Sequence, residues 1–110
     1  MVSERQRAEQ RYQQFLAFEA AHPEVYDDFD RFTRQLLRAT DRRLGARAVW
    51  ERIRWETYVM RWKPTAGKTR RPRPFLNDHF LPYYIRKWRR ANPDLAHIFE
   101  VRKSLADWSL

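Results

Sequence analysis

Residues 24–40 read EVYDDFDRFTRQLLRAT, and this stretch decides the fold class. Val25, Phe29, Phe32 and Leu36 fall at i, i+4, i+7 and i+11, and Tyr26, Thr33 and Leu37 widen the stripe. That period predicts an amphipathic helix with one face in a core. The other face carries Asp27, Arg31, Arg34 and Arg38. Asp27–Arg31 and Asp30–Arg34 are i, i+4 pairs, each worth roughly 0.3 kcal/mol, so a solvated face explains most of these charges. Arg38, Arg42 and Arg43 have no such partner and extend the basic surface. The helix start is legible too. His22-Pro23 breaks whatever precedes it, Pro23 suits a first turn, and Glu24, Asp27 and Asp28 place acid at the positive end of the dipole.

Working outward, residues 4–21 predict a first helix from Ala8, Tyr12, Phe15 and Leu16. Gly45 marks a stop, and a third helix follows over about 46–57, with Val49, Trp50, Ile53 and Thr57 on one side and Arg47, Glu51 and Arg54 on another. Thr57 to Trp62 is rich in β-formers without a helical repeat. Residues 63–69, KPTAGKT, are turn-rich, and Arg70-Arg71-Pro72-Arg73-Pro74 is basic and extended. A wing-like β-hairpin or a basic loop over 57–75 is the natural reading. Asn77-Asp78 signals an N-cap, so a fourth helix starts there or at Pro82 and runs to about Ala91, its stripe formed by Leu81, Tyr84, Ile85 and Trp88. Asn92-Pro93 breaks it, residues 94–104 predict a short fifth helix with Leu95, Ile98 and Phe99, and 105–110 form a tail. The expected fold is a single domain over 1–110, mainly α, of about five helices with a hairpin between the third and fourth.

Composition narrows the function classes. Among 110 residues there are 23 Lys plus Arg against 14 Asp plus Glu, a formal charge of +9. The excess is lopsided. Residues 1–40 hold six basic and seven acidic side chains, and residues 41–110 hold seventeen and seven. Nineteen of the cations are Arg, whose planar fork suits phosphates and stacks on bases, although a coding bias produces the same count. The absence of Cys excludes disulfides and thiolate zinc sites and fits a reducing compartment. No run approaches the ~18 apolar residues of a membrane helix, and MVSERQRAEQ lacks a signal-peptide core, so a cytoplasmic protein is expected, with no membrane partner.

Catalysis finds little support. His22, His79 and His97 have no i, i+4 partner, and His97-x-x-Glu100 reads as a surface pair. Gly67-Lys68-Thr69 echoes the end of a phosphate loop, but the pattern needs a second Gly upstream, where Trp62-Lys63-Pro64 offers none. No metal, cofactor or catalytic set is expected. Binding of nucleic acid, DNA before RNA, is better supported. Residues 61–73 hold Arg61, Lys63, Lys68, Arg70, Arg71 and Arg73 with no acid among them, and Arg86, Lys87, Arg89 and Arg90 follow on the fourth helix. These are the expected phosphate contacts. Arg54, Asn77 and Tyr83 are the candidates for base or sugar. Of the interleaved rings, Trp50, Trp55, Tyr58 and Trp88 are expected in the core, whereas Trp62 and Tyr83 sit off the stripes and are the expected stacking rings. Two alternatives stay open. One is an inhibitor or adaptor on an acidic surface of a host or defence protein. The other is a small nuclease, or its accessory, using Asp78 and His79.

The segments Pro23-Glu24-Val25-Tyr26…Phe29…Phe32, Arg52-Ile53-Arg54-Trp55-Glu56-Thr57, Leu76-Asn77-Asp78-His79-Phe80…Tyr83-Tyr84-Ile85-Arg86 and Pro93…Phe99-Glu100-Val101-Arg102 resemble a group of small phage and prophage proteins of unknown function. The resemblance covers about residues 20–103. The chain departs from the group at the turn, where Asp78-His79 replace asparagines, and in its longer basic loop at 63–74. The resemblance implies a phage or mobile-element origin in a bacterial host and no particular activity. It singles out Arg52, Arg54, Trp55, Asn77, Tyr84, Arg86 and Arg102 for testing, each of which also fits a purely structural role.

Overall fold

A computed structural model describes residues 3–39, 45–61 and 75–99. They form five helical segments: α1 (Glu4–Ala21), α2 (Glu24–Arg38), α3 (Ala46–Trp55) with a π-helical continuation (Glu56–Arg61), α4 (Leu81–Ala91) preceded by a 3-10 turn (Asp78–Phe80), and a final 3-10 stretch (Pro93–Ile98).

Local chemistry sets the boundaries. Ser3 and Gln6 close a capping box: the Gln6 amide donates to Ser3 Oγ at 3.1 Å and the Ser3 amide to Gln6 Oε1 at 2.9 Å. Pro23 separates α1 from α2, and the His22 amide ends α1 on the Phe18 carbonyl. Asn92 finishes α4 by donating from Nδ2 to the Trp88 carbonyl at 2.9 Å, while its Oδ1 accepts from Arg34 of α2 at 2.8 Å. One side chain thus caps one helix and ties it to another.

The core lies among α2, α3 and α4, with α1 laid against its aromatic edge. Val25, Phe29, Phe32 and Thr33 are buried from α2, Val49, Trp50 and Ile53 from α3, and Tyr84 and Trp88 from α4. Tyr84 is the hub: its ring lies 5.0 Å from Phe15, 5.6 Å from Trp50 and 6.0 Å from Phe29. Both buried indoles find acceptors. Trp88 Nε1 donates to Asp30 at 2.9 Å and Trp50 Nε1 to Asp78 at 3.1 Å.

Three expectations change. Residues 57–61 are not the first strand of a hairpin but a π-helical extension of α3, and the described residues contain no strand. Long-range partners outweigh the β propensity of Thr57, Tyr58 and Val59. The helical path carries Arg61 to Asp28 and the Tyr58 hydroxyl to the Leu76 amide at 2.8 Å. The rest of the expected hairpin, 62–74, lies outside the described residues. The fifth helix is one 3-10 stretch ending at Ile98, after which Phe99 turns extended and buries its ring against Trp88 at 5.6 Å. Residues 100–110 of that expectation are outside the described set. Finally, the α2 pairing is Arg31 with Asp28 rather than with Asp27, because Asp28 is the acid on the buried side; Arg34–Asp30 is as expected.

Candidate nucleic-acid interface

Two clusters fasten the ends of the basic run to the helical body. At its N-terminal end Arg61 grips Asp28 with both guanidinium branches, Nη1 to Oδ2 at 2.5 Å and Nη2 to Oδ1 at 2.9 Å. Arg31 adds a third bond at 3.1 Å. The Asp28 side chain is only 7% exposed, so two cations neutralise an acid set on the apolar side of α2.

At the C-terminal end, Phe75 to His79 dock on α3 through Asp78. Its carboxylate accepts from Arg54 at 2.6 Å, Trp50 Nε1 at 3.1 Å and Arg47 at 3.1 Å. The Arg54 hydrogen bond holds this carboxyl below the usual carboxylate range against partial desolvation, and the Arg47 charge and Trp50 bond add to it. Arg54 also donates to the Leu76 carbonyl at 2.8 Å and to Glu51 at 2.6 Å. Asn77 caps the 3-10 turn, its Oδ1 accepting the His79 amide at 3.0 Å. An open cleft of about 760 Å³ lies between this turn and the π-helix, lined by Arg54, Tyr58, Phe75, Leu76, Asn77, Asp78 and His79.

The structure thus gives most of the expected contacts internal work. Arg54 and Arg61 are ion-paired staples, and Asn77 is a cap. Tyr83 is not an exposed stacking ring: it is 3% exposed and stacks on Phe15 at 4.9 Å, because α1 covers the side of α4 that the stripe left open. Arg86 is buried and donates to the Pro82 carbonyl. Lys87 pairs with Glu19 at 2.5 Å and sits over the Tyr26 ring. Arg89 donates to the Ala96 carbonyl at 2.9 Å, and Arg90 is exposed. The α4 cluster is therefore not a free cationic face. Lys63, Lys68, Arg70, Arg71 and Arg73, and also Trp62, lie outside the described residues.

Two rings were missed. Trp55, expected in the core, is 57% exposed, and Phe75 is 76% exposed; Val59 and Met60 are also open. Trp55 had a signal. It lies five residues after Trp50, about 140° round the helix and off the stripe of Val49, Trp50 and Ile53. Of the pair named for the nuclease alternative, Asp78 has its carboxylate bonded to Arg54, Arg47 and Trp50. No group of three or more His, Asp or Glu able to hold a metal occurs among the described residues, and none of their helices is long and apolar enough to cross a membrane.

Comparison with known proteins returns no match to a family model, to a curated protein or to a solved structure.

Proposed function

We propose that this chain is a non-catalytic nucleic-acid-binding protein, acting on DNA, whose contact region is the acid-free run from 62 to 74. The observation that supports it is the distribution of charge. The described residues carry fourteen cations and eleven acids, and most of those acids are paired with Arg or Lys. Residues 62–74 add five cations and no acid. The residues on either side of that run are held to the helical body, Arg61 by Asp28 and Asp78 by Arg54. The phage or mobile-element origin belongs to the same reading and rests on the short segments quoted above.

The test is fluorescence anisotropy with duplex and single-stranded DNA at two salt concentrations, with and without magnesium. Replacing Arg70, Arg71 and Arg73 by Ala weakens binding and flattens log K against log salt by about 0.9 per lost duplex phosphate contact. Unchanged binding excludes the run as the contact surface. Retention of one protein from nuclease-treated lysate, with no DNA affinity above ~150 mM salt, replaces this reading with the acidic protein partner.

A further inference from the structure

The proposed contact region is bordered by rings that the fold leaves bare. Phe75 follows the basic run directly and is the most exposed large apolar side chain described, at 76%. It forms one wall of the open cleft against Arg54 and Tyr58. Trp55 stands one residue on from Arg54, about 100° further round the helix, and is 57% exposed. The other two described Trp residues, Trp50 and Trp88, are fully buried. An exposed Phe directly after an acid-free cationic run, and an exposed Trp seven residues before it in the sequence, supply the rings that a single-strand site places under the bases.

We infer that the protein prefers single-stranded nucleic acid, with Phe75 in the wall of the cleft and the exposed Trp55 on α3 as base-stacking platforms. The inference rests on the nucleic-acid reading and deepens it. The sign of the partner comes from the cations of 62–74, while the stacking site itself consists of described residues. Bases in a duplex already stack on one another and offer no face to these rings, whereas unstacked bases do. The cleft also gives base edges something to meet: Asn77 spends its Oδ1 on the His79 amide, which leaves its side-chain amide group to donate.

The experiment measures binding of labelled oligo(dT) and of a duplex of equal length to wild type, Phe75→Leu, Phe75→Tyr, Trp55→Leu and the Arg70/Arg71/Arg73→Ala triple variant. Phe75→Leu keeps an apolar side chain and removes the ring. It and Trp55→Leu each weaken oligo(dT) binding roughly 5- to 150-fold and leave duplex binding within about twofold, while Phe75→Tyr behaves as wild type. Both sites are exposed, so the variants keep the wild-type Tm. If wild type binds both DNAs, and the triple variant loses affinity while Phe75→Leu and Trp55→Leu do not, the stacking inference is overturned and the DNA-binding reading stands. If Phe75→Leu and Trp55→Leu weaken duplex and oligo(dT) equally, strand preference is refuted. If wild type binds neither DNA at ~150 mM salt, both readings fall, and a protein partner takes their place.

Discussion

Arg61 separates a structural cation from a binding one. By sequence it opens the basic run; in the fold it holds Asp28 through two hydrogen bonds. Arg61→Ala leaves a carboxylate that is 7% exposed with Arg31 alone, at 3.1 Å. Removing one partner of a fully buried pair costs about 3–5 kcal/mol. The Arg61 side chain is 42% exposed and Arg31 stays, so the expected cost falls to roughly 1.5–2.5 kcal/mol. For a chain of 110 residues that is a loss of about 6–11 °C in Tm. Asp28→Ala removes the buried charge and leaves Arg61 and Arg31, each about half exposed, to solvent, so it costs less. The double variant matches Asp28→Ala instead of adding the two effects. Thermal melts of the four proteins by circular dichroism, with DNA affinity measured below the lowest Tm, check the cycle. An Arg61→Ala variant that keeps the wild-type Tm but loses DNA affinity refutes the reasoning and returns Arg61 to the phosphate contacts. Additive costs for the two single changes refute the pairing itself.

Buried and paired polar groups give three more tests. The Tyr84 hydroxyl is buried and has no hydrogen-bond partner among the described residues, so Tyr84→Phe raises stability by about 1 kcal/mol in denaturant melts; a loss of that size refutes the unsatisfied hydroxyl. Burial, and then the charges of Glu19 and Glu24, push the Tyr84 phenol up from its ordinary 10.0; the folded state therefore holds a proton that the unfolded chain loses, stability declines as pH rises above about 10, and Tyr84→Phe lessens that decline in a pH series. Asp78 has the opposite sign: its carboxyl lies below the ordinary 3.8, so its contribution is present above that pH and is lost as pH falls through the lower folded value. Asp78→Asn costs about 1 kcal/mol at pH 7, discounted because the side chain is half exposed, and the cost shrinks under acid; an equal cost at pH 7 and at pH 2.5 refutes the ionic origin.

How far the sequence speaks depends on the range of each interaction. The α2 stripe, the Pro23 break, the Asn77 cap and the Asn92 stop are local patterns, and each stands in the structure where the periodicity and cap rules put it. Asp28 shows where local reading ends. It was readable as a dipole-favouring acid, yet it lies within the apolar stripe, three residues after Val25 and one before Phe29. An acid there demands a cation from elsewhere, and nothing in one sequence says that the cation stands 33 residues on. Tyr83 and Trp55 exchange places for a related reason. The stripe of a single helix gives one buried face, whereas α4 meets α2 and α3 on one side and α1 on another, so Tyr83 is covered by Phe15. Trp55 occupies the end of α3, where no described element lies over it. Cation clusters mislead likewise: Lys87 and Arg89 look like a basic patch until Glu19 and the Ala96 carbonyl arrive from other elements.

That redistribution makes the charge argument quantitative. If Arg54, Arg61 and Lys87 are held by Asp78, Asp28 and Glu19, a phosphate must break an existing pair to recruit them, whereas Lys63, Lys68, Arg70, Arg71 and Arg73 have no acid within their run. Duplex binding through the run alone engages at most those five cations. The slope of log K against log salt then lies no steeper than about −4.5, and the Arg70/Arg71/Arg73→Ala variant, with two left, lies near −1.8. Had the α4 cations joined as the bare sequence suggests, four more contacts would steepen the wild-type slope to about −8 and leave the triple variant near −5.4. Titrations over a fivefold range of salt separate these cases. A triple variant near −5.4 would mean that DNA displaces Glu19 and the Ala96 carbonyl from their partners, and the division into structural and binding cations would fail.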